Sequence, residues 1–89
     1  MTVEFDASFA RSLDKITDRR ILSRIAASIE KAEAAATLQE IPNVKKLSGF
    51  KEYYRIKVGD FRLGFEITDN SIIRFILVAH RKEIYRKFP

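Results

Sequence analysis

The chain has 89 residues, 46% of them apolar, enough for one globular domain over residues 1–89 with a thin core. It has no cysteine, which excludes disulfides, thiolate chemistry and cysteine-based metal sites, and fits a reducing cytoplasm. Net charge is +5 and unevenly spread: from Lys45 onward eleven bases stand against five acids, while the first 44 residues carry −1, so one electropositive, phosphate-attracting surface is expected.

The first six residues hold two acids and no basic start, so no secretory leader is expected. No apolar run reaches membrane-spanning length; the longest, residues 72–79, is interrupted by Arg74. Residues 3–5 read as a short strand. Asp6 is placed to cap a helix over residues 7–16, with Phe9 and Leu13 on one face. Asp18 is placed to cap a second helix from residue 19 to about 36. Its apolar stripe is Ile21, Leu22, Ile25, Ile29 and Ala32, and Arg20, Arg24, Lys31 and Glu33 lie mainly off it. Both helices read as scaffold packed on a sheet. Residues 37–43 are the nearest thing to a linker, and Pro42 stops any helix there.

The second half alternates with period two. Residues 53–58 and 61–67 flank Gly59-Asp60, the signal for a two-residue type II′ hairpin. Asp69-Asn70 marks a second turn, followed by a strand over residues 71–79. The expected fold is α+β: strand, helix, helix, then a three-stranded antiparallel meander with the helices on one face.

Hairpin geometry sets the basic residues in order. With Gly59-Asp60 as the loop, Lys57 stands opposite Arg62, and Arg55, two before Lys57, shares their face. The other face carries Tyr54, Ile56, Val58, Phe61, Leu63, Phe65 and Ile67, so a one-residue slip would bury the cations. Like charges on neighbouring strands repel, and Glu66 only partly compensates. Three converging cations therefore suggest a phosphate cradle. A two-residue loop at Asp69-Asn70 would put Phe75 opposite Gly64 and Leu77 opposite Arg62. Gly64 then either opens a gap beside the cations or makes room for Phe75. By the same parity Arg74 falls on the apolar face, so it lies near the rim or a bulge shifts the register. Ala79 and Arg81 continue the Arg62 face. The tail from His80 onward adds Arg81, Lys82, Tyr85, Arg86 and Lys87, with the chain's one histidine at its start.

Lys46-Leu47-Ser48-Gly49, the stretch from Tyr54 through Leu63, Val78-Ala79-His80-Arg81 and Ile84-Tyr85 together resemble the RelE/ParE toxin superfamily over nearly the whole chain. The resemblance implies the toxin of a type II toxin–antitoxin system, with an acidic antitoxin that folds on binding as its partner. In the RelE-like branch it implies a cytoplasmic, metal-independent and cofactor-free endoribonuclease that cuts mRNA on the ribosome. There the RNA 2′-hydroxyl attacks its own adjacent phosphate. The catalytic set it implies is Arg55, Lys57, Arg62, Arg81 and Tyr85, with His80 as a secondary proton-transfer candidate. Arg55, Lys57 and Arg62, with Lys45, Lys46, Lys82 and Arg86, would hold RNA phosphates. Tyr85 is either the base, if nearby cations lower its pKa from the free value of about 10, or a stacking platform. The glutamate that some relatives carry before the Leu-x-Gly motif is missing from Val44-Lys45-Lys46, and a C-terminal helix is expected to be absent or reduced to a turn. The alternatives are a ParE-like toxin that inhibits DNA gyrase without nuclease residues, and a non-catalytic RNA-binding module.

Overall fold

A computed structural model describes residues 1–47, 49, 52–69 and 71–89. Its elements are β1 (Thr2–Phe5), α1 (Ala7–Leu13), α2 (Arg19–Ala34), a 3-10 turn (Leu38–Glu40), β2 (Val44–Lys46), β3 (Tyr53–Val58), β4 (Phe61–Thr68), β5 (Ile72–His80) and α3 (Ile84–Lys87). The sheet runs β1-β5-β4-β3-β2; β1 is parallel to β5 and every other pairing is antiparallel. The expected meander is thus the centre of a wider sheet, extended by β1 at one edge and β2 at the other.

Local chemistry explains where the helices start. The Asp6 carboxylate accepts from Ser8 N at 3.3 Å, and Asp18 accepts from Arg20 N at 2.9 Å and Ile21 N at 3.3 Å. Each satisfies backbone N–H groups that the first helical turn leaves without partners. α1 ends at Leu13, short of the expected Ile16, because Lys15 N and Ile16 N bond back three residues as turns. Ile16 still packs on the core. At the far end of α2 the N-terminal ammonium donates to Glu33 O and Ala35 O, both at 2.7 Å. A cation there complements the negative end of the helix dipole and ties β1 to α2.

The main core lies between the sheet and α1 and α2. Phe9, Ile25, Ile56, Leu63, Phe65, Ile73 and Phe75 are each no more than 2% exposed, and Phe9–Phe75 and Phe65–Phe75 have ring centroids 5.5 and 5.6 Å apart. Tilted ring pairs of this kind add to simple area burial. The apolar face expected from alternation is the one buried here, with Tyr54, Phe61 and Ile67 packed at its margin.

Two expectations about β5 are corrected. Thr68 pairs with Ile72, so the connection spans residues 69–71 rather than two residues. Asp69 takes φ of +51°, and the other half of the expected turn, Asn70, lies outside the described residues, as does Ser48 of the Leu-x-Gly stretch. The longer loop moves Arg74 opposite Glu66, onto the face away from α1 and α2, where it pairs with Asp6 and, at 3.9 Å, with Glu66. The register then shifts between Gly64 and Phe65, with Ile76 as the extra residue. Beyond this bulge Leu77 faces Gly64, and Ala79 rather than Leu77 faces Arg62. Two serines of α1 serve the bulged segment: Ser8 Oγ donates to Ile76 O at 2.6 Å, and Ser12 Oγ accepts from Val78 N at 3.0 Å. A bulge leaves such groups without ladder partners, and α1 supplies them.

The helices do not all share one face. α3 folds back on the opposite side, where Leu47, Ala79, Ile84 and Phe88 bury one another with Tyr53 and Leu77 beside them. The Phe88 ring lies over Gly64, so closely that a Cβ there would meet ring carbons at 2.8 Å. Gly64 therefore neither opens a gap nor accommodates Phe75; it seats the C-terminal phenylalanine. The C-terminal helix is reduced to this single turn.

Candidate nucleic-acid interface

The Gly59-Asp60 turn sets the interface. Gly59 has φ of +58° and Asp60 does not enter the left-handed region, as a type II′ hairpin requires. The register pairs Val58 with Phe61, Lys57 with Arg62 and Arg55 with Gly64. β2 adds Lys45 opposite Arg55. Lys45, Arg55, Lys57 and Arg62 thus stand on two adjacent rows of one face, the face that α3 partly covers. Lys46 does not join them, because it pairs with Tyr54 and so points to the helix side.

None of these four cations has a carboxylate within 4.0 Å among the described residues. Glu66, the expected partial compensator, is taken up by Arg74. The arginines are braced by carbonyls instead. Arg62 Nη1 donates to Gly59 O at 2.9 Å and Phe61 O at 3.0 Å, and Arg55 Nη1 donates to Asn43 O at 2.9 Å. Carbonyl bonds orient a guanidinium without neutralising it, so the full positive charge remains for a ligand. Arg55 Nε is buried without an acceptor among the described residues.

Arg81 follows β5 and reaches the same turn. Its N–H donates to Asp60 O at 2.7 Å, and its Nε lies 3.9 Å from Asp60 Oδ1, with both side chains well exposed. In α3, Ile84 is buried against Ala79, the residue opposite Arg62, and the adjacent Tyr85 is 60% exposed. Tyr85 is thereby an exposed ring on the tail that partly covers the cation face. Lys82 and Arg86 are exposed on the same tail. Lys87 pairs with Glu83 at 3.2 Å, and this ammonium holds the Glu83 carboxyl below its ordinary value.

His80 is not brought to the cations. It pairs with Phe61, on the helix side, with its ring edge-on to Phe61 at 5.8 Å, and its Nδ1 accepts from Lys82 N at 3.2 Å. There it borders a groove of about 430 Å³ with Lys15, Asp18 and Glu83. Among the described residues no three His, Asp or Glu side chains cluster as metal ligands would, and no helix is long and apolar enough to cross a membrane.

Sequence reasoning missed the partnership of Gly64 with Phe88 and the serine clamps on β5. The signals were faint: one glycine inside an apolar strand, and one aromatic residue beyond a basic run.

A five-stranded sheet with two helices on one side and two braced rows of cations on the other defines a small α+β protein. The family model described as "ParE toxin of type II toxin-antitoxin system" matches residues 3–85. Toxin RelE3 of Methanocaldococcus jannaschii is 38% identical over 90 residues, all of both chains. Among solved structures, the RelB-RelE antitoxin-toxin complex from Methanococcus jannaschii superposes with a TM-score of 0.75 at 36% identity, covering 97% of this chain and 99% of that one. The archaeal RelE-RelB complex from Pyrococcus horikoshii OT3 gives 0.71 at 19% identity, covering 90% and 93%, a likeness of fold alone. The chain belongs to the ParE toxin family of type II toxin–antitoxin systems.

Proposed function

We propose that this toxin is a ribosome-dependent mRNA endoribonuclease of the cytoplasm, held inactive by a cognate antitoxin. The carrying observation is the row of Lys45, Arg55, Lys57 and Arg62 on one face, uncompensated by carboxylates and adjoined by Arg81 at the Gly59-Asp60 turn. The relative named Toxin RelE3 supports the nuclease branch, and the solved complexes with RelB support an antitoxin partner.

The chemistry is transfer of a phosphodiester to its own neighbouring hydroxyl. The 2′-oxygen bonds to phosphorus as it loses its proton to water in the exposed site. The bond to the 5′-oxygen breaks, and that oxygen takes a proton from water. The products are a 2′,3′-cyclic phosphate and a free 5′-hydroxyl. Negative charge builds on the phosphoryl oxygens at the transition state, so oriented cations supply most of the stabilisation. Arg62 and Arg81 hold those oxygens; Arg55, Lys57 and Lys45 hold flanking phosphates. Lys46, Lys82 and Arg86 contribute general attraction. Tyr85 offers its exposed ring to stack on a base of the mRNA. His80, turned to the helix side, takes no part in proton transfer. The ribosome supplies the strand orientation that so small a site lacks.

Primer extension on mRNA from translating ribosomes, with purified protein, tests the reading. Wild type cuts within codons. Arg62→Ala and Arg81→Ala stay folded and lose about 10²–10³-fold in cleavage rate, the usual cost of one preorganised donor. His80→Ala and Tyr85→Phe keep most of the rate, and Tyr85→Ala does not. Full activity in both arginine variants removes the mechanism. The matching family model is described as a ParE toxin, and a ParE-like toxin that inhibits DNA gyrase is the second reading. A supercoiling assay run beside primer extension separates them: inhibition of supercoiling with intact mRNA selects the second.

A further inference from the structure

The arginines and the lysine of α2 lie mainly off the apolar stripe of a helix expected as scaffold. Their position says more. Arg20, Arg24, Ala27 and Lys31 follow helical spacing along one stripe of α2. Arg24, Ala27, Ser28 and Lys31 form one wall of a groove of about 160 Å³, whose other wall is Asn43, Lys57 and Val58 at the β3 edge. The groove exists because β2 stops short. Its pairing with β3 begins at Val44 opposite Ile56, and the Asn43 carbonyl takes the Lys57 N–H at 3.2 Å, so Val58 has no strand beside it on that side.

The Arg24 guanidinium is brought against the Gly59-Asp60 turn, where a Cβ on Gly59 would lie 3.0 Å from its Nη1. Arg24 therefore stands at the turn from which Arg62 and Arg81 also work, but on the other side of the sheet. Arg24, Lys31 and Lys57 are exposed, and none has a carboxylate within 4.0 Å among the described residues. Two unneutralised cations of α2, Arg24 and Lys31, beside a wall of alanine and serine make a site for a compact anion, with Lys57 at the β3 edge carrying its charge toward the opposite face. The large exposed apolar side chains among the described residues are Phe5 and Tyr85, neither in this groove. A protein partner would need such anchors; a phosphate chain does not.

We propose that this groove is a second phosphate site, which takes the sugar–phosphate backbone of the RNA strand lying on the cation face. Lys57 stands on the cation face by register while its edge position lines the groove, and so it links the two sites. The strand leaves the Arg55–Arg62 rows over the β3 edge and ends on α2. The choice of RNA rests on the proposed function, whereas the groove's charge and geometry do not.

Fluorescence anisotropy with a labelled single-stranded oligoribonucleotide, titrated with salt and without ribosomes, tests it. Arg24→Gln/Lys31→Gln weakens binding at low salt about tenfold or more and flattens the slope of log K against log salt by about 1.4, the release expected from two phosphate contacts on a single strand. Arg11→Gln/Arg19→Gln removes the same charge outside the groove and changes both far less. Equal losses in the two pairs reduce the groove to diffuse attraction and overturn the site. So does unchanged RNA binding with lost affinity for polyglutamate, which reassigns the surface to an acidic protein. Since no cleavage is read, a protein that never cuts mRNA still shows the groove's signature, and failure here leaves the cleavage assay untouched.

Discussion

Asp6 occupies a crowded position for a single carboxylate. It caps α1, follows β1 directly and pairs with Arg74 across the sheet. The Ser8 hydroxyl lies between this carboxylate and Ile76 O, with one proton to share. Ser8 first, then Arg74, holds the Asp6 carboxyl down at about 2, and Asp6 in turn raises Arg74 further above its ordinary value. A carboxyl with a depressed folded pKa stabilises fully above its unfolded pKa, here about 3.8, and loses that contribution as pH falls through the folded value. Asp6→Asn keeps a capping side chain and removes the charge. It lowers Tm at pH 6, and its gap from wild type narrows between pH 4 and about 2. Thermal melts by circular dichroism across pH 2–7 check this; a gap that stays constant down to pH 2 contradicts it. The sequence identified Asp6 as a cap, because a cap is a local matter. Its pairing with Arg74 needed a register that residues 53–80 alone do not specify.

That contrast recurs in the elements. The Gly59-Asp60 hairpin was legible because a two-residue loop with a leading glycine fixes its own register, and a slip would have buried Arg55 and Lys57. The β4–β5 connection was not. Asp69-Asn70 is compatible with either loop length, and the bulge at Ile76 depends on Ser8 and Ser12 arriving from another element. β2 was missed because three residues, Val44, Lys45 and Lys46, give no period to count. The conflict over Arg74 was the sequence's one trace of the longer loop and the bulge. α3 shows the same dependence on distant partners. A single helical turn has no stability of its own, so Ile84 and Phe88 must anchor it, and Gly64 makes the socket. Gly64→Ala forces the Phe88 ring out and costs about 1–3 kcal/mol, the range for overpacking a fitted site. Phe88→Leu alone leaves the socket underfilled. The double variant is less destabilised than the sum of the singles, because each change relieves the other. Urea titrations of the four proteins give the coupling, and simple additivity rules out the socket.

At the scale of the whole molecule, the gathering of cations on one face works against the fold. Seventeen Lys and Arg residues face twelve acids, and the strongest acid–base pairs, Asp6–Arg74 and Glu83–Lys87, lie outside the cation rows. Lys57 sits directly opposite Arg62, and Lys45 opposite Arg55, with no carboxylate within 4.0 Å of them among the described residues. Facing like charges destabilise neighbouring strands, and a net charge of +5 on so small a body adds to the repulsion. Salt acts on both signs of interaction. It weakens the few surface pairs, which contribute little, and it screens the many repulsions, since the screening length falls from about 30 Å at 0.01 M to about 10 Å at 0.1 M. Repulsion dominates the balance here, so Tm rises as sodium chloride goes from about 0.01 to about 0.3 M, the span over which that length shrinks. Lys45→Gln/Lys57→Gln, which removes one cation from each facing pair, melts higher than wild type at low salt and responds less to added salt. A short oligoribonucleotide at low salt raises the Tm of wild type more than that of the variant, because it binds the folded state through those charges. Differential scanning fluorimetry over the salt series reads all three effects. A wild-type Tm that falls with salt means that attraction, not repulsion, dominates this surface, and the cation rows are then compensated in a way their geometry does not show.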